Sequence, residues 1–343
     1  MDLLTGSTGL VGSHLLASLL SEGRSIRALY RDEPKKDFTL ALIRYLRPDL
    51  EDKISSIEWV QGDILDPDGI HAAMESIEAV HHTAAFVSFN PGDHKKLFKI
   101  NVEGTANVLD SALQQNVKLF TFISSTATLP EPANGSNELT ADEGWTRKIG
   151  PSSYARSKFL AERDVWRASE EGLPVIIVNP AIILGPGNWH QSSSSIFRTV
   201  FNGLRFYPIG SNGFVDPRDV ADAVIRMMRE ERHNERFLLS SGNRSFQDAF
   251  SHIAKAFDLR PPTRKVSPLL SEFAWRMEKA KCLLTGKAPR ITKHSARAAS
   301  TQKIFDGTLI EQQTDFSYRS FEQGISESAE WYKYAIEAGL LKV

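Results

Sequence analysis

The stretch Thr5-Gly-Ser-Thr-Gly-Leu-Val-Gly12 decides the fold of this chain. A short apolar run, Leu3-Leu4, precedes it, and leucines at helical spacing follow it, so the glycines are predicted to lie between a strand and a helix. Glycine lets the backbone approach a phosphate closely, and the N–H groups at a helix start favour an anion. Because all three glycines fall in this one turn, the stretch predicts a dinucleotide-binding βαβ unit.

Short β-rich runs and helical segments alternate through the rest of the first half. Strands are predicted at 3–4, 25–30, 57–60, 79–83, 119–124 and 175–178, and helices near 66–76, 97–115 and 153–171. This alternation predicts an α/β protein with a Rossmann-type doubly wound parallel sheet.

The character of the sequence changes after residue 180, where a loop rich in Ser, Gly and Asn begins. We expect residues 1–180 to form an NAD(P)-binding Rossmann domain, with a strand returning to it from about 205–240. Residues 181–343 are expected to form mostly a smaller C-terminal substrate-binding lobe, interleaved with that domain.

The composition excludes several classes of function. The 343 residues carry 41 Lys and Arg against 42 Asp and Glu, and a net charge of −1 gives no field that would collect nucleic acid or an anionic membrane. No apolar run approaches the ~18 residues that span a bilayer, so no integral membrane span is expected. A lone cysteine, Cys282, and the lack of a signal-peptide profile favour a cytoplasmic location. The expected partner is a small-molecule substrate.

The end of the second predicted strand bears on the choice of dinucleotide. An acidic residue there accepts from the ribose 2′-hydroxyl of NAD, and Asp32 is available for this contact. Arg31, with Lys35 and Lys36 nearby, instead predicts a pocket for the 2′-phosphate of NADP. The sequence therefore favours NADP, with NAD and simple solvated loop charges as the alternatives. Asp63, after the third predicted strand, is a candidate acceptor for the adenine amino group.

Two adjacent histidines, His81 and His82, end the fourth predicted strand. Neighbouring strand residues point to opposite faces, and no third ligand stands at a suitable spacing, so no metal site is predicted. The small residues that follow, Thr83-Ala-Ala85, suit a place where the backbone passes close to a cofactor.

The strongest catalytic pair is Tyr154 and Lys158. Side chains four residues apart share one face of a helix, so the ammonium can lower the pKa of the phenol and ready it as an acid or base. The run Ser124-Ser-Thr126 ends the fifth predicted strand and can present a hydroxyl that orients a substrate carbonyl beside that phenol. Taken singly, the same run also suits a strand-end cap.

Taken in order, these motifs resemble the extended short-chain dehydrogenases/reductases of the NAD-dependent epimerase/dehydratase superfamily. The matching features are the Gly6/Gly9/Gly12 loop, Asp63, the strand end His82-Thr-Ala-Ala85, Asn101-Val-Glu-Gly-Thr105, Ser124-Ser-Thr126, Tyr154 with Lys158, and Asn179-Pro180. They cover about two thirds of the chain, and Tyr30-Arg-Asp-Glu-Pro34 with Asn179-Pro180 resembles the dihydroflavonol-reductase-like branch. The chain departs from the family at Asp2, a position that is commonly apolar, so we expect the first strand to be clipped.

The resemblance implies a catalytic set of Thr126, Tyr154 and Lys158. In this set Tyr154 exchanges the proton at the carbonyl or alcohol oxygen, Lys158 holds the nicotinamide ribose, and Thr126 hydrogen-bonds the substrate oxygen. Ser125 remains an alternative to Thr126, because relatives differ in register here, and Asn101 is expected in a supporting network. The residues expected to contact the cofactor are Gly6, Thr8, Gly9, Leu10, Val11, Gly12, Arg31, Lys35, Asp63, Ile64, Thr83, Ala84, Ala85, Asn101, Ser124, Tyr154, Lys158, Asn179, Pro180 and Ala181.

The substrate pocket is expected to be largely apolar. Its predicted lining is Phe86, Thr126, Ala127, Asn188 and Phe197, with Phe201 and Phe214 nearby. The four consecutive serines at 192–195 predict a mobile loop that orders as a lid on binding. A homodimer packed through the helices near 97–115 and 153–171 is implied by the resemblance alone.

We expect an NADP-dependent oxidoreductase that reduces a ketone, or oxidises a secondary alcohol, on a small and largely apolar substrate. One alternative is a nucleotide-sugar epimerase with tightly bound NAD, for which Arg198, Arg205 and Arg218 are candidate diphosphate ligands. Another is a protein that senses NADP without catalysis. Dehydration is disfavoured, because Ala127-Thr128 follows the predicted catalytic hydroxyl where dehydratases that resemble this fold carry an acidic pair.

Overall fold

The central element of the structure is a seven-stranded β-sheet. The structure, a computed structural model, describes residues 1–130, 138–140, 152–267, 272–273, 275–278, 281–282 and 292–343. The strands are β1 (Asp2–Thr5), β2 (Ile26–Tyr30), β3 (Glu58–Gln61), β4 (Ala79–His82), β5 (Leu119–Ile123), β6 (Glu138–Leu139), β7 (Val175–Pro180), β8 (Ile182–Ile183), β9 (Phe206–Tyr207), β10 (Ser211–Val215), β11 (Glu235–Leu239), β12 (Gly242–Ser245), β13 (Arg264–Lys265) and β14 (Ile304–Phe305). The helices are α1 (Leu10–Ser21), α2 (Glu33–Leu46), α3 (Glu51–Ile54), α4 (Pro67–Ala73), α5 (His94–Phe98), α6 (Gly104–Gln114), α7 (Ser153–Glu170), α8 (Ser195–Phe201), α9 (Pro217–Arg229), α10 (Phe246–Ala256), α11 (Lys293–Ser300), α12 (Leu309–Gln313) and α13 (Phe321–Glu337).

The strand order in the sheet is β11-β7-β5-β4-β1-β2-β3, and every pairing is parallel. The chain runs outward from β1 to β3 on one side, then returns to β4 beside β1 and continues outward on the other side. The carboxyl ends of β1 and β4 therefore meet where the direction of winding reverses, which is where such sheets bind ligands. The predicted fold class, a Rossmann-type doubly wound parallel sheet, is confirmed.

Alternate side chains of the buried strands pack into two separate hydrophobic cores, one on each face of the sheet. In β7, Ile176 and Val178 pack in one core, and Val175 and Ile177 pack in the other, as the two-residue period of a strand requires. Helices α1 and α9 cover the first face of the sheet, and α4, α6 and α7 cover the second. The central strands are therefore covered on both faces, which leaves their ends as the place for a site.

The first strand is complete, contrary to the expectation that Asp2 would clip it. Asp2 pairs with Ile26 on one side and Ala79 on the other, and its side chain is buried. Arg24 donates two hydrogen bonds to its carboxylate, at 2.8 and 2.6 Å, and His81 Nε2 lies 3.2 Å from it. Burial alone would raise the pKa of Asp2, but these hydrogen bonds lower it to about 2. The acid is tolerated because its charge is paired.

The chain after β7 is shared between two units. β11 joins the edge of the central sheet, within the range predicted for a returning strand, whereas β8, β10 and β12 form a small sheet of their own. An aromatic cluster that includes Trp189, Phe197, Phe214, Trp331 and Tyr332 fills the core of this second part. The division of the chain at residue 180 remains a prediction.

One predicted helix is interrupted. The segment near 97–115 contains α5 and α6, separated by a π-turn, Lys99–Glu103. The side chain of Asn101, in this turn, bonds the backbone of Phe86 instead of facing solvent. None of the helices that the structure describes is both long enough and apolar enough to cross a membrane.

Candidate active site

The glycine loop between β1 and α1 is built for close backbone approach. Gly6 has a φ of +70°, and a Cβ there would lie 2.5 Å from the backbone nitrogen of Ala84. A Cβ on Gly12 would lie 2.1 Å from the carbonyl oxygen of Gly6, so both positions require glycine. Gly9 precedes α1 without a capping side chain, and the first helical turn carries no acidic residue. The N–H groups of that turn therefore suit an anion such as a pyrophosphate. The predicted residues Thr8, Leu10 and Val11 belong to the same turn.

The end of β4 lies directly beside this loop. The Oγ1 of Thr83 is 2.8 Å from the carbonyl oxygen of Thr5 and 3.1 Å from that of Gly6, and it ties the two strand ends together. Ala84 and Ala85 follow with side chains too small to fill the crevice. The predicted residues of the first and fourth strand ends therefore come together, as a dinucleotide site requires.

The ends of β2 and β3 bring Arg31 and Asp63 together. Their side chains are 3.3 Å apart and 56% and 40% exposed, so the guanidinium can turn to a ligand at little cost. Asp32 instead accepts from the backbone N–H of Lys35 and caps α2. The Lys36 ammonium bonds Glu33 and lies 4.9 Å from the centre of the Tyr30 ring. Lys35 is partly exposed in the first turn of α2, so Arg31 and Lys35 are both placed where they could meet a phosphate.

Both adjacent histidines are buried among hydroxyl groups. His81 Nδ1 lies 2.9 Å from the Oγ1 of Thr121, while His82 lies between Thr5 and Thr105, at 2.7 and 3.0 Å. Burial, helped by the charge of Lys158, lowers the pKa of His82 to about 3, so its ring is neutral. Within the described residues, no group of three or more His, Cys, Asp or Glu could hold a metal ion.

The end of β7 carries the predicted Asn179, Pro180 and Ala181. Asn179 is fully buried, and its Nδ2 donates to the carbonyl oxygen of Ser125 at 3.1 Å. Its Oδ1 has no partner among the residues that the structure describes, so a buried acceptor is left for a ligand donor. Ile64 is buried against Gly104.

Tyr154 stands in the first turn of α7, where its phenol meets two neighbours. Ser152 caps the helix by accepting from the backbone N–H of Ala155 at 3.0 Å, which fixes the start of the turn. The ring of Phe89 lies edge-on to the Tyr154 ring, with centroids 5.7 Å apart. Burial raises the pKa of Tyr154, and a hydrogen bond with the Ser125 hydroxyl partly opposes that rise.

Lys158 lies one turn further along α7 and is 2% exposed. Its Nζ donates to the carbonyl oxygen of Ile123 at 2.7 Å and lies 4.1 Å from the centre of the Phe122 ring. Burial lowers the pKa of Lys158 to about 7, against the opposing charge of Glu162. We expected this ammonium to lower the pKa of the Tyr154 phenol, and it does not. The ammonium bonds the Ile123 carbonyl at the end of β5, and burial is the largest influence on the pKa of the phenol.

The hydroxyl beside the phenol belongs to Ser125 rather than to Thr126. Ser125 precedes a short 3-10 turn, Thr126–Thr128, and accepts from the backbone N–H of Ala127 at 3.1 Å. The Ser125 hydroxyl also hydrogen-bonds the Tyr154 phenol, whereas Thr126 is the first residue of the turn. Of the two alternatives left open by the sequence, the structure therefore favours Ser125.

Asn101 braces the wall of the site from the π-turn. Its Oδ1 accepts from the Phe86 N–H at 2.7 Å, and its Nδ2 donates to the Phe86 carbonyl and to Ser157 Oγ, both at 3.0 Å. Ser157 Oγ in turn donates to the carbonyl of Tyr154 at 2.8 Å. Asn101 thus connects the strand end after β4 with the catalytic helix.

The predicted substrate residues are not all brought together. Phe86 and Ala127 are partly exposed near Tyr154, and Asn188 uses its side chain to accept from the backbone of His190 at 3.0 Å. Phe197 is 0% exposed and packs against Tyr332 with ring centroids 4.9 Å apart. Its assignment to the pocket wall is wrong, since the apolar side chain fills the core of the second unit instead.

The loop that was predicted to be a lid begins in a well-held segment. Tyr332 and Trp331, on α13, donate to the carbonyls of Gly185 and Gly187 at 2.9 and 3.0 Å. His14, on α1, donates to the carbonyl of Pro186 at 2.9 Å. Motion of the serines at 192–195 on binding remains a prediction.

Two residues of the site were missed by the sequence analysis. Phe89 is 49% exposed beside Tyr154, and nothing in its local pattern marks it. Glu162 is fully buried on the same helical face as Tyr154 and Lys158, at the next step of four residues. That repeated spacing was the available signal, although a glutamate on a helix is usually a solvated residue.

The sequence matches the NAD dependent epimerase/dehydratase family over residues 3–240. Among curated proteins, it is 26% identical over 339 residues to "Putative dihydroflavonol 4-reductase" of Synechocystis sp., which covers 96% of this chain and 94% of the relative. It is 27% identical over 342 residues to "Sterol demethylase protein B" of Methylococcus capsulatus, with 96% and 98% covered. It is 27% identical over 275 residues to "Cinnamoyl-CoA reductase 1" of Petunia hybrida, with 77% and 79% covered.

Solved structures share the fold over the full chain. The crystal structure of gox2253 superposes with a TM-score of 0.77 at 24% identity, covering 100% of this chain and 99% of that chain. The structure of MoeE5 in complex with UDP-glucose and NAD gives a TM-score of 0.71 at 20% identity, covering 98% and 99%. The resemblance inferred from the sequence motifs is confirmed.

Proposed function

The chain belongs to the NAD-dependent epimerase/dehydratase family and is an NAD(P)-dependent oxidoreductase, and from that premise we propose that it reduces a ketone with NADPH. The reverse reaction, oxidation of a secondary alcohol, uses the same groups. The relatives named for dihydroflavonol and cinnamoyl-CoA support a carbonyl substrate with an apolar body. Partly exposed Phe86 and exposed Phe89 beside Tyr154 suit such a body.

The residues present fit a dinucleotide. A glycine loop that admits no Cβ at two positions leads into a helix start with free N–H groups, which would hold the pyrophosphate. Arg31 would bind the 2′-phosphate of NADP, and Asp63 would accept from the adenine. Lys158 would hydrogen-bond the nicotinamide ribose. The bound nicotinamide supplies or accepts the hydride.

The protein's own part in the reaction is to hold and move one proton. Tyr154 donates its phenolic proton to the carbonyl oxygen of the substrate as that oxygen gains negative charge. The Ser125 hydroxyl donates a hydrogen bond to the same oxygen and holds it beside the phenol. Thr126 is the alternative for this second contact.

One observation carries the proposal: the phenol of Tyr154 hydrogen-bonds the Ser125 hydroxyl beyond the end of β5, and its pKa is raised. A phenol in this state is protonated at neutral pH, as a proton donor for ketone reduction must be.

Titration with NADPH and with NADH, followed by nicotinamide fluorescence, tests the proposal. We expect NADPH to bind at least about tenfold more tightly, because only NADPH offers a phosphate to Arg31. Arg31→Gln should remove most of this difference. Arg44→Gln, a change of an exposed arginine paired with Glu51, should leave it intact. Equal affinities for the two dinucleotides in the wild type would overturn the NADP preference.

The two alternatives have weaker support. A nucleotide-sugar epimerase needs cations for a diphosphate, but Arg218 is bonded to Asp216 at 2.7 Å and to Glu327. Retention of NAD through purification would nevertheless favour it. A sensor without catalysis has no need of Ser125, Tyr154 and Lys158 together, and any NADPH-dependent reduction of an aryl ketone would exclude it.

A further inference from the structure

A second buried charge lies behind the catalytic pair. Oε2 of Glu162 accepts from the Ser124 hydroxyl, lies 3.0 Å from the Thr128 Oγ1, and accepts from the Asn179 amide at 2.9 Å. Its Oε1 accepts from the Arg236 guanidinium at 3.1 Å. A carboxylate with four polar partners and no exposed surface is stable as an anion only in this company.

The partners of Glu162 bracket the segment that carries the catalytic hydroxyl. Ser124 lies immediately before Ser125, and Thr128 ends the turn that follows it. Asn179 comes from the end of β7, so one carboxylate joins two strand ends to α7. Along α7 itself, Glu162 is one turn from Lys158 on the same face.

We propose that Glu162 is a positioning residue of the active site: its carboxylate holds the Ser124–Thr128 segment so that Ser125 meets Tyr154, and its negative charge supports the ammonium of Lys158. This inference rests on the proposed function. The bonds of Glu162 go to Ser124, Thr128, Asn179 and Arg236, so it acts on the reaction through the segment that carries Ser125 and through Lys158.

Charges of both signs act on Lys158 through this cluster. Burial lowers the pKa of Lys158 to about 7, and Glu162 opposes that fall. Arg236 neutralises part of the Glu162 charge, so the two groups act on the ammonium in opposite directions. His82 faces Lys158 from β4 but is neutral, because burial lowers its pKa to about 3. Two further titratable groups contact α7 from neighbouring helices. His94, on α5, bonds Ser153, and Asp110, on α6, pairs with Arg167.

Binding of NADPH from mildly acidic to alkaline pH tests the charge. Charge-assisted hydrogen bonds are the stronger ones, so affinity should fall as Lys158 loses its proton, with a measurable midpoint. Glu162→Gln should move that midpoint down by on the order of one pH unit, and Arg236→Gln should move it up. Glu162→Asp, which keeps the charge, should restore it, and Glu170→Gln, at an exposed site of α7, should leave it unchanged.

Ionisation of the Tyr154 phenol tests the positioning. It is read as the difference in phenolate absorbance between each protein and its Tyr154→Phe counterpart. Thr128→Val keeps the shape of the side chain and removes one tie to Glu162, so Ser125 should be less well held. The phenolate midpoint should then rise, while the NADPH midpoint stays in place.

The outcomes separate this inference from the function on which it rests. Failure of the wild type to bind NADPH or NADH overturns both. Binding with NADPH midpoints that are unmoved, or that move in the same direction in Glu162→Gln and Arg236→Gln, overturns the charge-supporting role alone. An unmoved phenolate midpoint in Thr128→Val overturns the positioning role. If Glu162→Gln fails to fold, the direction in which Arg236→Gln moves the NADPH midpoint still tests the charge-supporting role.

Discussion

Tyr154 meets Ser125 and Phe89, which come from two separate strand ends. Replacing Tyr154 with Phe keeps the ring against Phe89 and removes only the hydroxyl. We expect loss of NADPH-dependent reduction of aryl ketones, with NADPH affinity within about twofold of the wild type, because only proton transfer is lost. Activity retained in the variant would show that another group supplies the proton.

The choice between Ser125 and Thr126 gives a second prediction. Ser125→Ala removes the hydroxyl that bonds the phenol and should lower kcat by on the order of 100-fold, as loss of one oxyanion donor does. Thr126→Val, whose position lies inside the 3-10 turn, should change kcat by less than about threefold. The reverse order of effects would return the role to Thr126.

The sequence predicted those features of the site that depend on local spacing. Tyr154 and Lys158 share a helical face whatever surrounds them. The choice of Ser125 depends on how the chain turns after β5, and the burial of Phe197 depends on packing against α13. Neither is encoded by neighbouring residues, so a single sequence could not decide them.

Among the elements, the glycine loop has the least freedom to vary. Gly12→Ala would place a Cβ 2.1 Å from the Gly6 carbonyl oxygen and must move the start of α1. We expect the variant to lose NADPH binding by at least about tenfold, since the phosphate-binding N–H groups are displaced. Gly92→Ala, where the nearest atom is 3.5 Å away, is the matched control and should bind normally. Normal affinity in Gly12→Ala would place the pyrophosphate elsewhere.

The order of the strands in the first half was predicted from local patterns, but helix α2 (Glu33–Leu46), which lies between the second and third strands, was missed. The π-turn between α5 and α6 was not predicted, and the bond that Asn101 makes from it joins Phe86, a residue 15 positions away that the fold brings close. The pairing of Asp2 with Arg24 is a similar case: the acid was expected to clip β1, and a cation 22 residues away completes it.

At the scale of the whole molecule, two buried histidines link stability to pH. Burial lowers the pKa of His14 from 6.5 to about 4 and that of His82 from 6.5 to about 3. Between pH 6.5 and about 4, these two histidines therefore bind two more protons in the unfolded chain than in the folded chain. The contribution of these two histidines to stability should be fully present above pH 6.5 and should fall with acid by about 2.7 kcal/mol per pH unit near pH 5, twice the value for one group. Asp219, whose pKa burial raises to about 6, should contribute about half of that slope with the opposite sign.

Urea unfolding at a series of pH values measures this slope. His14→Gln should reduce it by about 1.4 kcal/mol per pH unit, the contribution of one site. His71→Gln, at an exposed position, should leave the slope unchanged. A flat profile between pH 6.5 and 4 in the wild type would mean that both rings accept protons without unfolding.

The bonds from Trp331 and Tyr332 to Gly187 and Gly185 have a consequence for biosynthesis. Gly187 abuts Leu10 at the start of α1, so residues made early in translation are held in place by a helix made much later. A ribosome-bound chain from which α13 has not yet emerged already has its phosphate-binding turn, but it lacks the hydrogen bonds that α13 makes to the neighbouring segment 185–187. We expect cofactor capture to wait until translation has passed this helix, and we expect termination upstream of it to leave the segment 185–187 without these two bonds.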